Sequence, residues 1–272
     1  MREITDAEFN RIRGFIKQKL GINLSNEKKS LVQSRFASIM HDKDLDDFTQ
    51  YFDYLLQDKT GEALIQFVNK ITTNHTYFMR ERDHFDYLRE TVLPYIYENH
   101  SQDRDLRFWC AGCSTGEEAY TLEMIIQDFF KSKPARWDTR ILATDVSTNV
   151  LIKAAQGVYP PESLKCLPES WLRDYFQPAG GGCVQARDEI RKLITYRKFN
   201  LMDEKFPFKK PFQTIFCRNV MIYFDSGTRD QLVNKFYDAT VTGGFLFIGH
   251  SESLNHKTTK YKYIKPAVYR KV

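Results

Sequence analysis

The segment Leu106–Tyr120, LRFWCAGCSTGEEAY, constrains the fold of this chain more than any other. A short apolar strand (Leu106, Phe108, Trp109) runs into a loop of small residues, Cys110 to Gly116. Two acids, Glu117 and Glu118, and a helical pattern follow. Strand, glycine loop and helix open a Rossmann-like unit, in which missing side chains let a ligand lie against the backbone.

The rest of the chain agrees with that opening. Strands are expected at Thr139–Thr144, Ile194–Phe199, Thr214–Cys217 and Phe245–Ile248, with helices at Glu117–Phe130, Thr148–Ala155 and Ser226–Asp238. Strands alternating with helices imply a mostly parallel sheet covered on both faces. Residues 157–192 interrupt the alternation with Pro160-Pro161 and the triplet Gly180-Gly181-Gly182, which suggests a hairpin tip. Before residue 97 the pattern is helical. Thr5-x-x-Glu8 is a capping box, Phe9, Ile12, Phe15, Ile16 and Leu20 share one face, and Gly21 suits the position just past the helix. Ser25 is the expected cap of a second helix (Leu31, Val32, Phe36, Ile39). Phe48, Tyr51, Phe52, Leu55 and Leu56 mark a third, and Leu64, Ile65, Val68 and Ile71 a fourth. The expected organisation is an α/β protein: an N-terminal helical bundle over 1–80, a linker helix over 81–97, and a Rossmann-like domain over 98–272 carrying a small insert at 157–192.

The loop's surroundings narrow the ligand. The dinucleotide fingerprint G-x-G-x-x-G is absent, and Gly116 is followed by Glu117-Glu118 rather than the Lys-Ser/Thr of a phosphate loop. Carboxylates there repel a pyrophosphate and favour a cation such as the sulfonium and ammonium of S-adenosylmethionine. The same acids could instead only complement the helix dipole. Asp145 ends the second strand, where an acid accepts hydrogen bonds from ribose hydroxyls. It could also be a turn residue or a helix cap. Arg218-Asn219 ends another apolar strand and would face the same crevice, unless it is an ordinary exit from the strand.

Other features exclude more than they assign. Cys110 and Cys113 form a C-x-x-C, but no second ligand pair at that spacing exists, so small thiols in a tight loop are expected rather than zinc or redox chemistry. A net charge of +5 is mild and fits an acidic partner as well as RNA. Nothing approaches a membrane span of ~20 apolar residues. The first residues carry no apolar signal core, which leads to the expectation of a cytoplasmic protein.

Six segments, in order, resemble the chemotaxis receptor methyltransferases, the CheR family: TTNHTYFMRE (Thr72–Glu81), STGEEAY (Ser114–Tyr120), ATD (Ala143–Asp145), FNL (Phe199–Leu201), CRNVMIYFD (Cys217–Asp225) and GHSE (Gly249–Glu252). The resemblance implies a class I methyltransferase domain that transfers a methyl group from S-adenosylmethionine to chemoreceptor glutamates, leaving S-adenosylhomocysteine. It implies that Asn74, Thr76 and Arg80 lie in a loop that closes over the cofactor. Glu118 is then near its methionine end, Asp145 on its ribose, Asn200 and Leu201 on the adenine side, and Arg218 and Asn219 beside it. Arg80 and Tyr223 would face the substrate carboxylate. The chain departs from the family with Ala119, where Pro is frequent, and with cysteines in the loop.

The implied partner is the helical methylation region of a chemoreceptor, with the membrane involved only through that receptor and no nucleic acid. A monomer without a metal is expected. Lys28, Lys29 and Arg35 form a thin basic face that would help in docking or would simply be solvated. The Gly180–Gly182 turn looks shorter than in relatives that bind a receptor's C-terminal peptide, so no such tether is expected. His75, His84 and His250 are expected to be surface or hydrogen-bonding residues. The competing readings are a methyltransferase for a small molecule or nucleic acid, and a non-catalytic S-adenosylmethionine-binding module. The stretch Arg218-Asn219-Val220-Met221 lacks the prolines of amino-group methyltransferases.

Overall fold

A computed structural model describes residues 3–71, 75–100 and 104–272. The chain forms two compact units, Met1–His75 with Tyr223–Arg229, and Thr76–Ile222 with Asp230–Val272.

The first unit is built on helices α1 (Asp6–Leu20), α2 (Lys29–Asp42), α3 (Phe48–Gln57) and α4 (Glu62–Ile71). Its start is decided locally. The Thr5 hydroxyl accepts the Glu8 N–H at 3.2 Å, and the Glu8 carboxylate accepts the Thr5 N–H at 2.8 Å. Gly21, at φ 72°, ends α1 in a left-handed conformation that costs glycine little. Ile12, Ile16, Val32, Phe36, Tyr51 and Phe67 are buried, with Phe36 stacked on Phe67 at 4.4 Å. Two expectations fail here. Ser25 makes no side-chain cap, because a 3₁₀ turn over Asn26–Lys28 intervenes before α2. Leu56 is 52% exposed, because α3 buries Phe48, Tyr51, Phe52 and Leu55 and turns Leu56 away. The basic residues of α2 are engaged locally: Lys29 pairs with Asp6 at 2.6 Å, and Arg35 donates to the Lys70 carbonyl. In the returning segment, the Tyr223 carbonyl accepts the Asn23 N–H at 2.8 Å and Asp225 pairs with Lys17 at 2.6 Å.

The second unit opens with α5 (Arg82–Tyr87), a π-turn (Leu88–Val92) and α6 (Leu93–Asn99). β1 (Phe108–Ala111), α7 (Glu117–Lys131), β2 (Ile141–Asp145) and α8 (Thr148–Gln156) follow. The insert holds β3 (Val158–Tyr159), α9 (Glu169–Tyr175), β4 (Phe176–Pro178), β5 (Val184–Ala186) and α10 (Asp188–Arg191). Then come β6 (Ile194–Lys198), β7 (Phe212–Cys217), α11 (Ser226–Ala239), which begins in the first unit, β8 (Thr240–Ile248), β9 (Lys262–Lys265) and β10 (Val268–Arg270). The main sheet runs β6-β2-β1-β7-β8-β10-β9. Its first five strands are parallel, and β10 is antiparallel to β8 and β9. The three strands of the insert form a separate antiparallel sheet, with the Gly180–Gly182 turn joining β4 to β5.

Strand order reverses at β1, which lies between β2 and β7, so a crevice opens beyond the carboxyl ends of these strands. β7 is buried at every position, as a central parallel strand should be. The hairpin β9–β10 was not anticipated. Lys262-Tyr263-Ile264 is exposed, so β9 shows no apolar alternation, and it is held through β10, whose Val268 and Tyr269 are buried. Among the described residues no helix is long and apolar enough to cross a membrane.

Trp109 joins core to crevice. It is fully buried among Phe199, Phe206, Phe208, Phe212 and Phe236, and its indole N–H donates to the Thr144 hydroxyl at 2.9 Å. Trp109→Phe should cost about 1–3 kcal/mol, because the buried Thr144 hydroxyl loses its donor along with ring contacts. Urea denaturation would show this as a lower midpoint at constant slope, and an unchanged midpoint would contradict it.

Candidate active site

The crevice residues come from five strand ends, and the glycine loop between β1 and α7 is the tightest of them. The Gly112 and Cys113 amides both donate to the Thr144 carbonyl, at 2.8 and 2.9 Å. Gly112 has φ 84°, and a Cβ there would meet Val220 Cγ2 at 2.5 Å, so only glycine fits. The Ser114 N–H donates to Asp145 Oδ2 at 3.0 Å and the Ser147 N–H to Oδ1 at 2.9 Å. Burial raises the Asp145 carboxyl above its ordinary value, and these backbone donors act against that rise. Asp145 is half-buried, so it keeps a face toward solvent.

The two acids after Gly116 separate. Glu117 is buried and accepts the Thr115 hydroxyl at 2.7 and 2.9 Å, so it closes the loop on itself rather than facing the crevice. The pairing of both acids with a cationic ligand therefore narrows to Glu118. Glu118 Oε2 accepts Arg218 Nη1 at 2.9 Å, and its Oε1 accepts the Cys110 thiol at 3.1 Å. Cys110 and Cys113 are free and buried, and burial pushes both thiols up in pKa.

Arg218 is the centre of the network. It is 6% exposed, yet both its arms carry charge partners: Glu118 on one, and Glu81 Oε2 at 2.9 Å on the other. Its Nη2 also donates to the Arg80 carbonyl, and its guanidinium lies 5.2 Å from the centre of the Phe85 ring. Glu81 Oε1 takes Asn219 Nδ2 at 3.3 Å and the His250 N–H at 3.2 Å. Burial by itself would raise the Glu81 carboxyl. The Arg218 charge and these donors outweigh it and bring the carboxyl below its ordinary value.

Asn219 has φ 58°. Its N–H donates to Glu252 Oε2 at 3.0 Å, which also takes the Gly249 N–H at 2.6 Å, while Glu252 Oε1 takes the Ile222 N–H at 3.0 Å. Glu252 thus holds the end of β7 to the end of β8. On the far side, Asn200 Oδ1 accepts the Met202 N–H at 3.0 Å and the Leu201 carbonyl accepts Lys235 Nζ at 2.7 Å. Thr76 is half-buried in the loop that leads to Arg80. Asn74 lies outside the described residues. Tyr223 belongs to the segment grouped with the helical unit.

The structure thus joins Arg80, Glu118, Arg218 and Asn219 in one network and sets Asp145 against the loop at Ser114. Glu81 and Glu252 organise this edge but were not singled out from the sequence, although both fall in quoted segments, TTNHTYFMRE and GHSE. Only the fold shows that they close on strand ends. Neither expectation for His84 holds, since its ring is fully buried and neither nitrogen has a hydrogen-bond partner. Its Nδ1 is 3.5 Å from Glu81 Oε2. Among the described residues Glu81, His84 and His250 place three ligand-type atoms within 4.8 Å of one another. The Arg218 guanidinium already occupies the Glu81 oxygen, and its charge opposes a cation there.

A Rossmann-like sheet with a glycine loop, no phosphate-loop lysine and acids at its strand ends fits an S-adenosylmethionine-binding methyltransferase. The donor set fits that cofactor, since Glu118 and Asp145 offer carboxylate oxygens at one sheet edge. The family model "CheR methyltransferase, SAM binding domain" matches residues 74–270, and "CheR methyltransferase, all-alpha domain" matches residues 7–72. The chain belongs to the CheR methyltransferase family. It is 41% identical over 270 residues to the chemotaxis protein methyltransferase of Borreliella burgdorferi, covering 98% of this chain and 95% of that one. It is 35% identical to the chemotaxis protein methyltransferase of Escherichia coli (98% and 91% covered) and 37% identical to chemotaxis protein methyltransferase 2 of Vibrio cholerae (93% and 87%). It is accordingly an S-adenosylmethionine-dependent methyltransferase of the chemotaxis type.

The buried imidazole makes the unit sensitive to acid. Burial first, and then the Arg218 charge, push His84 from 6.5 to about 4, while Asp83 and Glu81 act to raise it and His250 to lower it. Its folded pKa lies below its unfolded one, so its contribution is complete above pH 6.5 and is lost as pH falls toward 4. The full loss is roughly 3 kcal/mol. The urea midpoint of the wild type should fall between pH 6.5 and 4.5, and that of His84→Gln should fall less. Parallel declines in the two proteins would show that His84 is not responsible.

Proposed function

We propose that the protein methylates glutamate carboxylates in the helical methylation region of chemoreceptors, giving methyl esters, and that it works in the cytoplasm. The observation that carries this reading is the meeting of Arg80, Glu118, Arg218 and Asn219 at one sheet edge, in a chain of this family.

S-adenosylmethionine, when bound, supplies a methyl group activated on a sulfonium. Asp145 and Glu118 are proposed to hold its ribose and its methionine end. Thr76 and Asn74 would cover it, and Asn200 and Leu201 would line its adenine side. A substrate glutamate has a pKa near ~4.3 and is ionised at neutral pH, so the chain needs no general base. Buried, neutral His84 is consistent with that. The carboxylate charge fades as the new C–O bond forms. Arg80 is therefore best suited to orienting the carboxylate, since a very tight clamp would stabilise the ground state more than the transition state. Tyr223 is proposed to orient the same carboxylate. The low-water surroundings of Arg218, Phe85 and Cys110 favour a reaction in which cation and anion give neutral products.

Incubation with labelled S-adenosylmethionine and receptor-containing membranes tests the reading: base-labile label on the receptor supports it, and an unlabelled receptor refutes it. Arg80→Ala should lower methylation about 100-fold while weakening cofactor binding much less. Near-normal turnover would remove Arg80 from this role. Asp145→Ala should weaken S-adenosylmethionine binding about tenfold in calorimetry, and unchanged affinity would remove Asp145 from the ribose.

A further inference from the structure

Arg80 is held in an unusual backbone. The residues on both sides of it are non-glycine residues in the left-handed region, Met79 at φ 58° and Glu81 at φ 57°. Such residues are sterically strained, and they persist where surrounding contacts hold them. Two bonds of the turn are long: the Arg80 N–H reaches the Tyr77 carbonyl at 3.4 Å and the Met79 N–H reaches the Thr121 hydroxyl at 3.4 Å. The closer contacts run through the next residue. Glu81 takes Arg218 at 2.9 Å and also binds Asn219 Nδ2 and the His250 N–H, while Arg218 reaches back to the Arg80 carbonyl.

We propose that Glu81 is a positioning residue: its carboxylate clasps the strained 79–81 turn to the ends of β7 and β8 and so fixes where Arg80 is presented. Charge balance alone does not require it, because Glu118 already neutralises Arg218. What Glu81 adds is reach. One oxygen holds the guanidinium that carries the Arg80 carbonyl, and the other spans two strand-end loops that are separated in sequence from the turn by 138 and 169 residues. Glu81 does not need to touch substrate in this role. The functional consequence rests on the reading of Arg80 given above, but the clasp itself does not.

The test compares the full-length wild type with Glu81→Gln, Arg80→Ala and the double variant, using two readouts. Glu81→Gln keeps the shape and loses the charge. In limited trypsin digestion followed by mass spectrometry, cleavage after Arg80, measured relative to a synthetic 75–86 peptide carrying the same residue 81, should accelerate about tenfold in Glu81→Gln, with cleavage after Arg140, just before β2, unchanged. In methyl transfer, Glu81→Gln should lose about tenfold in kcat, and the double variant should be no worse than Arg80→Ala alone, because both changes remove one function. Unchanged cleavage at Arg80, equal acceleration at Arg140, or fully additive kinetic losses would each overturn the clasp. A wild type that labels no receptor would sink the functional reading, and the digestion would still decide the clasp.

Discussion

The buried guanidinium of Arg218 is the constraint around which the catalytic unit is organised. A charge taken out of water is costly unless it is paired and fully hydrogen-bonded. Arg218 meets that demand with Glu118, 100 residues earlier at the start of α7, and with Glu81, 137 residues earlier before α5. Satisfying one side chain therefore brings together the entry to α5, the first turn of α7 and the end of β7. The Phe85 ring below and the Cys110 thiol beside Glu118 keep water away from the same atoms.

Strain collects at the same edge. Ser114, Asn219, Met79 and Glu81 all take positive φ, and each lies in a loop that either leaves a strand of the main sheet or faces those loops. Carboxylates hold three of the four: Asp145 takes the Ser114 amide, Glu252 the Asn219 amide, and Glu81 supplies its own contacts. The parallel strands supply a rigid floor, and the acids fix irregular backbone above it. Precise placement is what a methyl transfer to an already ionised oxygen needs, because little of the barrier can be removed by proton transfer.

The sequence was most legible where a few neighbouring residues decide the outcome. The Thr5–Glu8 capping box, the turn at Gly21, the glycine loop and the apolar strand β7 all depend on local geometry, and all appear in the structure. Reading was weaker where distant partners compete. Glu117 and Glu118 are adjacent and look equivalent, yet Thr115 captures one and Arg218 the other. His84 resembled a surface residue because its charge and size say nothing about the cover of Phe247 and His250 over it. The strand β9 is exposed over Lys262–Ile264 and lacks apolar alternation, and only its pairing with β10 makes it a strand.

By itself, the sequence determined the alternation of strands and helices, the glycine turn and the chemistry suited to its ligand, because side-chain size, backbone freedom and charge sign act over a few residues. The tertiary structure alone decided which carboxylate meets which cation and which backbone is held in strain. Those choices depend on desolvation and on contacts between segments from 31 to 169 residues apart, and neither is encoded at any single position.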